Sequence, residues 1–178
     1  AWTAVAAVGG ALAVAAGNAA RAGSRAITTV RDALVLPAPA TTAPPVPDGA
    51  ELGVDGLAPV ITPNPDFYRI DTAIIVPSID PADWELRIHG LVEEEVVLTW
   101  DELLALPLVE TTVTLSCVSN EVGGSLIGNA RWLGYPIREL LARAKPTGDA
   151  DMVLSRSSDG FTAGTPLEAL TDDRDAIL

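Results

Sequence analysis

The stretch TLSCVSNEVGG, residues 114–124, carries Cys117, the single cysteine of a 178-residue chain. With no second thiol, an internal disulfide is excluded. Three chemistries stay open for a lone thiol beside small polar residues and a glycine pair. It can be a small hydrophobe packed in a core. It can be a nucleophile, which needs a base within hydrogen-bond reach. Or it can be a soft ligand to a metal whose other donors arrive with a cofactor. A structural zinc site needs several Cys or His ligands, and this chain holds one of each. The one histidine, His89, falls on the polar side of an alternating segment, where a solvated histidine is the ordinary outcome.

The elements that position the thiol can be read from periodicity. VETTVTLSC alternates as a strand, with Val109, Thr111, Val113, Leu115 and Cys117 on one face. That puts the sulfur at the strand's end, where loops commonly present chemistry. The following VSNEVGGSLIGN reads as a loop whose glycines let backbone N–H groups approach a ligand closely. WELRIHGLV alternates as a second strand, with Trp84, Leu86 and Ile88 opposite Glu85, Arg87 and His89. VVLT is a third strand. Thr99 and Glu102 have the spacing of a capping box, so a helix should follow and stop at Pro107. Pro136 suits the start of another helix, with Ile137, Leu140, Leu141 and Ala144 as its buried stripe. DMVLSR reads as a strand, SSDG as a turn, and TPLEAL as a short helix with Thr165 and Glu168 as a second capping box. DAIL has the alternation of one strand more. This irregular mixture predicts an α+β fold with a mixed sheet, and there is no dinucleotide fingerprint or phosphate loop.

Composition divides the chain into three. Residues 1–20 are uncharged and rich in Ala, Val and Gly, about the length of a spanning helix, and are expected to form a transmembrane helix. Residues 21–63 read as a linker, first basic and then rich in Pro and Thr. PAPATTAPPVP there favours extended backbone and a semi-rigid spacer. Residues 64–178 form the expected folded domain. The missing initiator Met and the close on DAIL suggest a fragment. Formal net charge is −13, and residues 1–31 hold three arginines and no acid, leaving 24 acids against 8 bases in the rest. So acidic a body repels phosphate backbones, which excludes nucleic acid as a partner.

Four stretches carry a family resemblance: FYRIDTAIIVPSIDPADWELRIHG, LTWDELLALP, TLSCVSN followed by GNARWLGYPIRELL, and SRSSDGFTAGTPLEAL. In these, residues 67–178 resemble the molybdopterin-dependent oxidoreductases of the sulfite oxidase family, especially membrane-tethered bacterial members. The resemblance implies a mixed-sheet α+β molybdopterin-binding fold, here incomplete at its C-terminus. It implies that Cys117 ligates molybdenum as a thiolate, that the pterin dithiolene brings two further sulfurs, and that the cofactor is molybdenum-molybdopterin. Asn64, Tyr68, Arg69, Asp71, Thr72, Ser119, Asn120 and Ser157 would contact that cofactor. The implied reaction is two-electron oxygen-atom transfer on a small sulfur-containing or related substrate, in which the protein orients, ligates and tunes.

Sulfite-oxidising members usually follow the cysteine with Gly-Asn and then an arginine that receives the anion, whereas this chain reads SNEVGG, with Glu121. Neutral sulfoxides such as methionine sulfoxide therefore stand level with sulfite. One histidine excludes a bis-histidine haem in this chain, and there is no iron–sulfur cysteine set. Electrons are expected to pass through a separate partner, a membrane haem protein or a quinone-linked chain. The expected location is the cell membrane with the catalytic body extracytoplasmic, although Arg21, Arg25 and Arg31 fit a cytoplasmic boundary. A non-catalytic binding module that keeps the fold, and a metal-free cysteine-nucleophile enzyme, are the alternatives.

Overall fold

A computed structural model describes residues 30, 32–70, 77 and 79–178. The expected transmembrane helix at 1–20, and Asp71 and Thr72, lie outside the described residues. Among the described residues no helix is long and apolar enough to cross a membrane.

The first structural unit is a hairpin closed by a helix. β1 (Glu85–Ile88) pairs antiparallel with β2 (Val96–Thr99). Their alternation sends Leu86, Ile88, Val96 and Leu98 to one side, with Arg87 and Val97 exposed on the other. α1 (Trp100–Leu104) starts at Thr99, whose hydroxyl accepts the Glu102 N–H while Glu102 Oε2 accepts the Thr99 N–H at 2.9 Å. The capping box expected from the sequence is therefore present.

α2 (Ile137–Ala144) lays Leu140 and Ala144, 1% and 0% exposed, on Val96 and Leu98. Leu86, Ile88, Val92, Leu106 and Tyr135 surround this core. Burying a leucine so fully is worth about 1.5–3 kcal/mol. Pro136 occupies the N-cap of α2, and the helix ends at Lys145 in the left-handed region, φ 53°. The Ala144 and Lys145 carbonyls accept the Glu94 and Glu93 N–H groups, so the β1–β2 loop satisfies the helix end.

The second unit is the hairpin that carries the thiol. β3 (Val109–Ser116) pairs antiparallel with β4 (Ile127–Gly134), from Val109 opposite Gly134 to Ser116 opposite Ile127. The proline-rich segment is tied to both of its edges. Thr41 bridges Val109 in parallel, with Ala40 N–H donating to Leu108 O and Glu110 N–H to Thr41 O. On the other edge Thr62 N–H donates to Asn129 O, and Asn129 Nδ2 donates to Val60 O. Parallel and antiparallel pairing thus meet on β3, giving the mixed sheet of an α+β fold. The face expected to be apolar is half-buried at Val109 and Thr111 but open at Val113 and Leu115, 38% and 46% exposed.

β5 (Met152–Arg156) and β6 (Thr162–Pro166) form the third antiparallel pair, joined by the Ser157–Gly160 turn. α3 (Leu167–Thr171) follows and packs against α2. Here the second capping box is not formed. Thr165 is paired with Val153 in the ladder, Pro166 takes the N-cap position without a side-chain bond, and Glu168 is one residue too early to close a box. β4 and β6 themselves were not expected as strands. DAIL does pair: Leu178 and Tyr135 exchange N–H···O bonds of 2.9 and 3.1 Å, beside a Pro136–Ile177 bridge.

Candidate functional site

Cys117 is the first residue past β3 and is half-buried, outside the apolar core. Its backbone N–H still donates to Leu126 O at 2.9 Å, one step beyond the last strand pair, so the β3–β4 ladder fixes where the residue begins to turn away. Sγ stands 3.0 Å from Ser119 Oγ. The Ser119 hydroxyl, helped by the Ser119 N–H and opposed by partial desolvation, holds the thiol below its ordinary range. A hydroxyl can stabilise a thiolate in this way by donating a hydrogen bond, and its neutral oxygen is too weak a base to take the thiol's proton. The local chemistry suits a soft anionic donor better than it suits a cysteine–base pair.

The rest of the loop is built from backbone bonds. Asn120 N–H donates to Cys117 O at 3.0 Å, and Gly124 N–H donates to Glu121 O at 2.8 Å. Asn120 Oδ1 accepts the Leu126 N–H at 2.8 Å. An amide group whose oxygen is engaged this way has its NH2 left to donate elsewhere. Val118 and Val122 are fully exposed, and Glu121, between them, is exposed as well.

The first residues of the folded domain pack along β4 of this hairpin. Phe67 lies so close over Gly128 that a Cβ there would stand 2.5 Å from the ring's Cε2. Gly128 is opposite Leu115, two residues before Cys117. Phe67 also stacks on Tyr68 with ring centroids 5.2 Å apart, and meets Trp132 edge-on at 5.8 Å. Asn64, in a 3-10 turn with its carbonyl accepting the Phe67 N–H, and Arg69 flank this aromatic pair, and both are exposed. Sequence reasoning named Tyr68 but missed Phe67 and Gly128, for which an aromatic pair beside a later strand glycine was the available signal.

Ser157 follows β5, at the start of the β5–β6 turn. Its hydroxyl bonds Asp159 and the Phe161 carbonyl within the β5–β6 turn, and Asp159 is held below the usual carboxylate range chiefly by that hydroxyl. The hydrogen bonds of Ser157 thus stay inside its own turn. His89 follows β1 and is exposed. Among the described residues no group of three His, Cys, Asp or Glu side chains is gathered that could hold a metal ion. A site here would draw one protein donor, Cys117, and its remaining donors from a cofactor. The half-buried, hydroxyl-stabilised thiol at a loop mouth fits that requirement.

Mitochondrial sulfite oxidase of Macaca fascicularis is 35% identical over 99 residues, 47% of this chain and 18% of that protein. The protein-methionine-sulfoxide reductase catalytic subunit MsrP of Burkholderia mallei is 33% identical over 99 residues, 52% of this chain and 28% of that protein. The sulfane dehydrogenase SoxCD structure from Paracoccus pantotrophus aligns at 27% identity with a TM-score of 0.48, over 53% of this chain and 28% of that chain. The chain therefore spans less than a third of the length of each of these proteins. The oxidoreductase molybdopterin binding domain family matches residues 73–178, a stretch that holds Cys117, Ser119, Asn120 and Ser157 and begins after Asn64, Tyr68, Arg69, Asp71 and Thr72. With more than half of its length matched, the chain belongs to the oxidoreductase molybdopterin binding domain family.

Proposed function

We propose that this domain binds molybdenum-molybdopterin through the Cys117 thiolate and serves a two-electron oxygen-atom transfer at sulfur, either sulfoxide reduction or sulfite-type oxidation. The observation that carries the reading is the Cys117 thiol itself, half-buried at the exit of β3 and stabilised as an anion by Ser119. When bound, the cofactor supplies the redox-active metal and the oxygen-transfer chemistry. The chain's own residues ligate, orient and screen. Cys117 would donate charge as a thiolate, and Ser119, whose hydroxyl lowers the thiol's pKa, would help to orient that sulfur. The Asn120 NH2 is available to donate to an anionic group, and the Phe67–Tyr68 pair closes the side of the site along β4. Asp71 and Thr72 keep their proposed cofactor role from the resemblance alone, as do Asn64, Arg69 and Ser157.

Glu121 supports a neutral substrate over sulfite, because an exposed carboxylate in the thiol's own loop repels an anion approaching it. Electrons would enter or leave through a separate membrane haem protein or quinone-linked chain. Residues 1–20 would anchor the protein in the cell membrane with the domain extracytoplasmic.

A second reading, a binding module that keeps the fold without turnover, is favoured by local self-satisfaction. Ser119 is spent on the thiol, the Asn120 oxygen on Leu126, and Ser157 on its own turn. The metal-free nucleophile reading is weaker, since the thiol's partner is a serine and no base.

A steady-state screen of cofactor-loaded, full-length protein tests the proposal. The expected result is turnover of neutral sulfoxides with a reduced-dye donor, and slower oxidation of sulfite with a dye acceptor. Loaded protein inert toward both substrate classes would favour the non-catalytic module.

A further inference from the structure

The exposed loop between β3 and β4 has a closure that its assumed cofactor contacts do not explain. Of its three apolar side chains, Val118 and Val122 are fully exposed and anchor nothing, while Leu126, at the β4 end, is half-buried. The loop's closure runs through hydrogen bonds that converge on Asn120 and Leu126. Leu126 O accepts the Cys117 N–H at 2.9 Å, Cys117 O accepts the Asn120 N–H at 3.0 Å, and Asn120 Oδ1 accepts the Leu126 N–H at 2.8 Å. The three bonds form one ring through the backbone on both sides of the sulfur-bearing residue. Only an oxygen can accept from Leu126, so the amide's orientation is dictated by the bond.

We propose that Asn120 is a positioning residue: its side-chain oxygen latches the Leu126 N–H, closing residues 117–126 and setting where the Cys117 sulfur stands. Gly124 is the second half of the device. Its φ lies outside the left-handed region, so glycine is not needed there for backbone conformation. It is needed for space, because a Cβ would stand 2.7 Å from Asn120 Oδ1 and 2.9 Å from Glu121 O. The inference rests on the reading of Cys117 as the molybdenum ligand, and gives Asn120 a role separate from direct contact with the cofactor.

Two variants separate the roles. Asn120→Ala removes the latch and the amide together, whereas Gly124→Ala keeps the amide and wedges its oxygen off Leu126. Full-length protein from a cofactor-producing host would be read by hydrogen exchange in the peptide covering residues 121–127 and by molybdenum retained through purification. The expected result is exchange faster by about fivefold to tenfold in both variants, as for a lost hydrogen bond of ordinary strength. Molybdenum should fall in both, and Asn120→Asp, which keeps an acceptor oxygen, should restore slow exchange. Wild-type exchange in both Ala variants would overturn the latch. Fast exchange with full molybdenum in Gly124→Ala would overturn its positioning role, leaving any loss in Asn120→Ala to the amide itself. Wild-type protein lacking molybdenum yet slow in exchange would instead sink the reading of Cys117 and leave the loop closure standing.

Discussion

Glu121 is the residue at which substrate choice can be tested by charge. It is exposed, in the loop of the proposed ligand, and opposite in sign to the arginine that sulfite-oxidising relatives are expected to carry nearby. Glu121→Arg is expected to raise kcat/KM for sulfite by about tenfold, mainly through KM, and to leave a neutral sulfoxide within about twofold. A rise equal for both substrates, in steady-state assays at low ionic strength, would show that the charge is not read by the substrate. At this scale the sequence was legible in placing the thiol where a strand gives way to a loop: Cys117 comes immediately after β3, although burial along β3 does not alternate as VETTVTLSC suggested. The sequence was not legible where a bond depends on loop closure. Nothing local distinguishes Asn120 as an acceptor for Leu126 from Asn120 as a cofactor donor, because the partner lies six positions further along the chain and is brought in by the loop.

At the scale of elements, the cap of α1 is the clearest device that both sequence and structure contain. Thr99→Ala is expected to cost about 1 kcal/mol at neutral pH, measured by urea denaturation. The bond from the Thr99 N–H, and then its hydroxyl, lower the Glu102 pKa in the folded chain. A depressed carboxylate contributes stability that is present above its unfolded pKa and lost as pH falls through the folded value. Thr99→Ala removes the bond from the Thr99 hydroxyl to Glu102 Oε2, so its penalty should shrink in acid, and a penalty independent of pH would deny that bond. β1, β2 and α1 were legible because alternation and capping are local signals. β4 and β6 were not, since Gly128, Asn129 and Gly134 in one, and Gly164 and Pro166 in the other, are poor strand formers. Both are strands because β3 and β5 supply a ladder to pair with. The same pairing overrode the capping spacing at Thr165, whose backbone is held opposite Val153.

Across the whole molecule, an acidic domain is organised around one thiol-bearing hairpin with the proline-rich segment bonded along both of its edges. The core cluster that α2 forms on the β1–β2 hairpin includes no residue of β3 or β4, which carry the thiol's loop. Family membership was legible because motif order spans much of the chain, while Ser157, though within the matched stretch, is hydrogen-bonded only inside its own turn among the described interactions. The central claim is that a single sulfur ties the cofactor's metal to this protein. Metal analysis of purified full-length protein, beside Cys117→Ser prepared identically, tests it most directly. The account predicts stoichiometric molybdenum in the wild type, and a folded Cys117→Ser protein that has lost the metal and its turnover. Equal molybdenum and equal activity in the two proteins would contradict it.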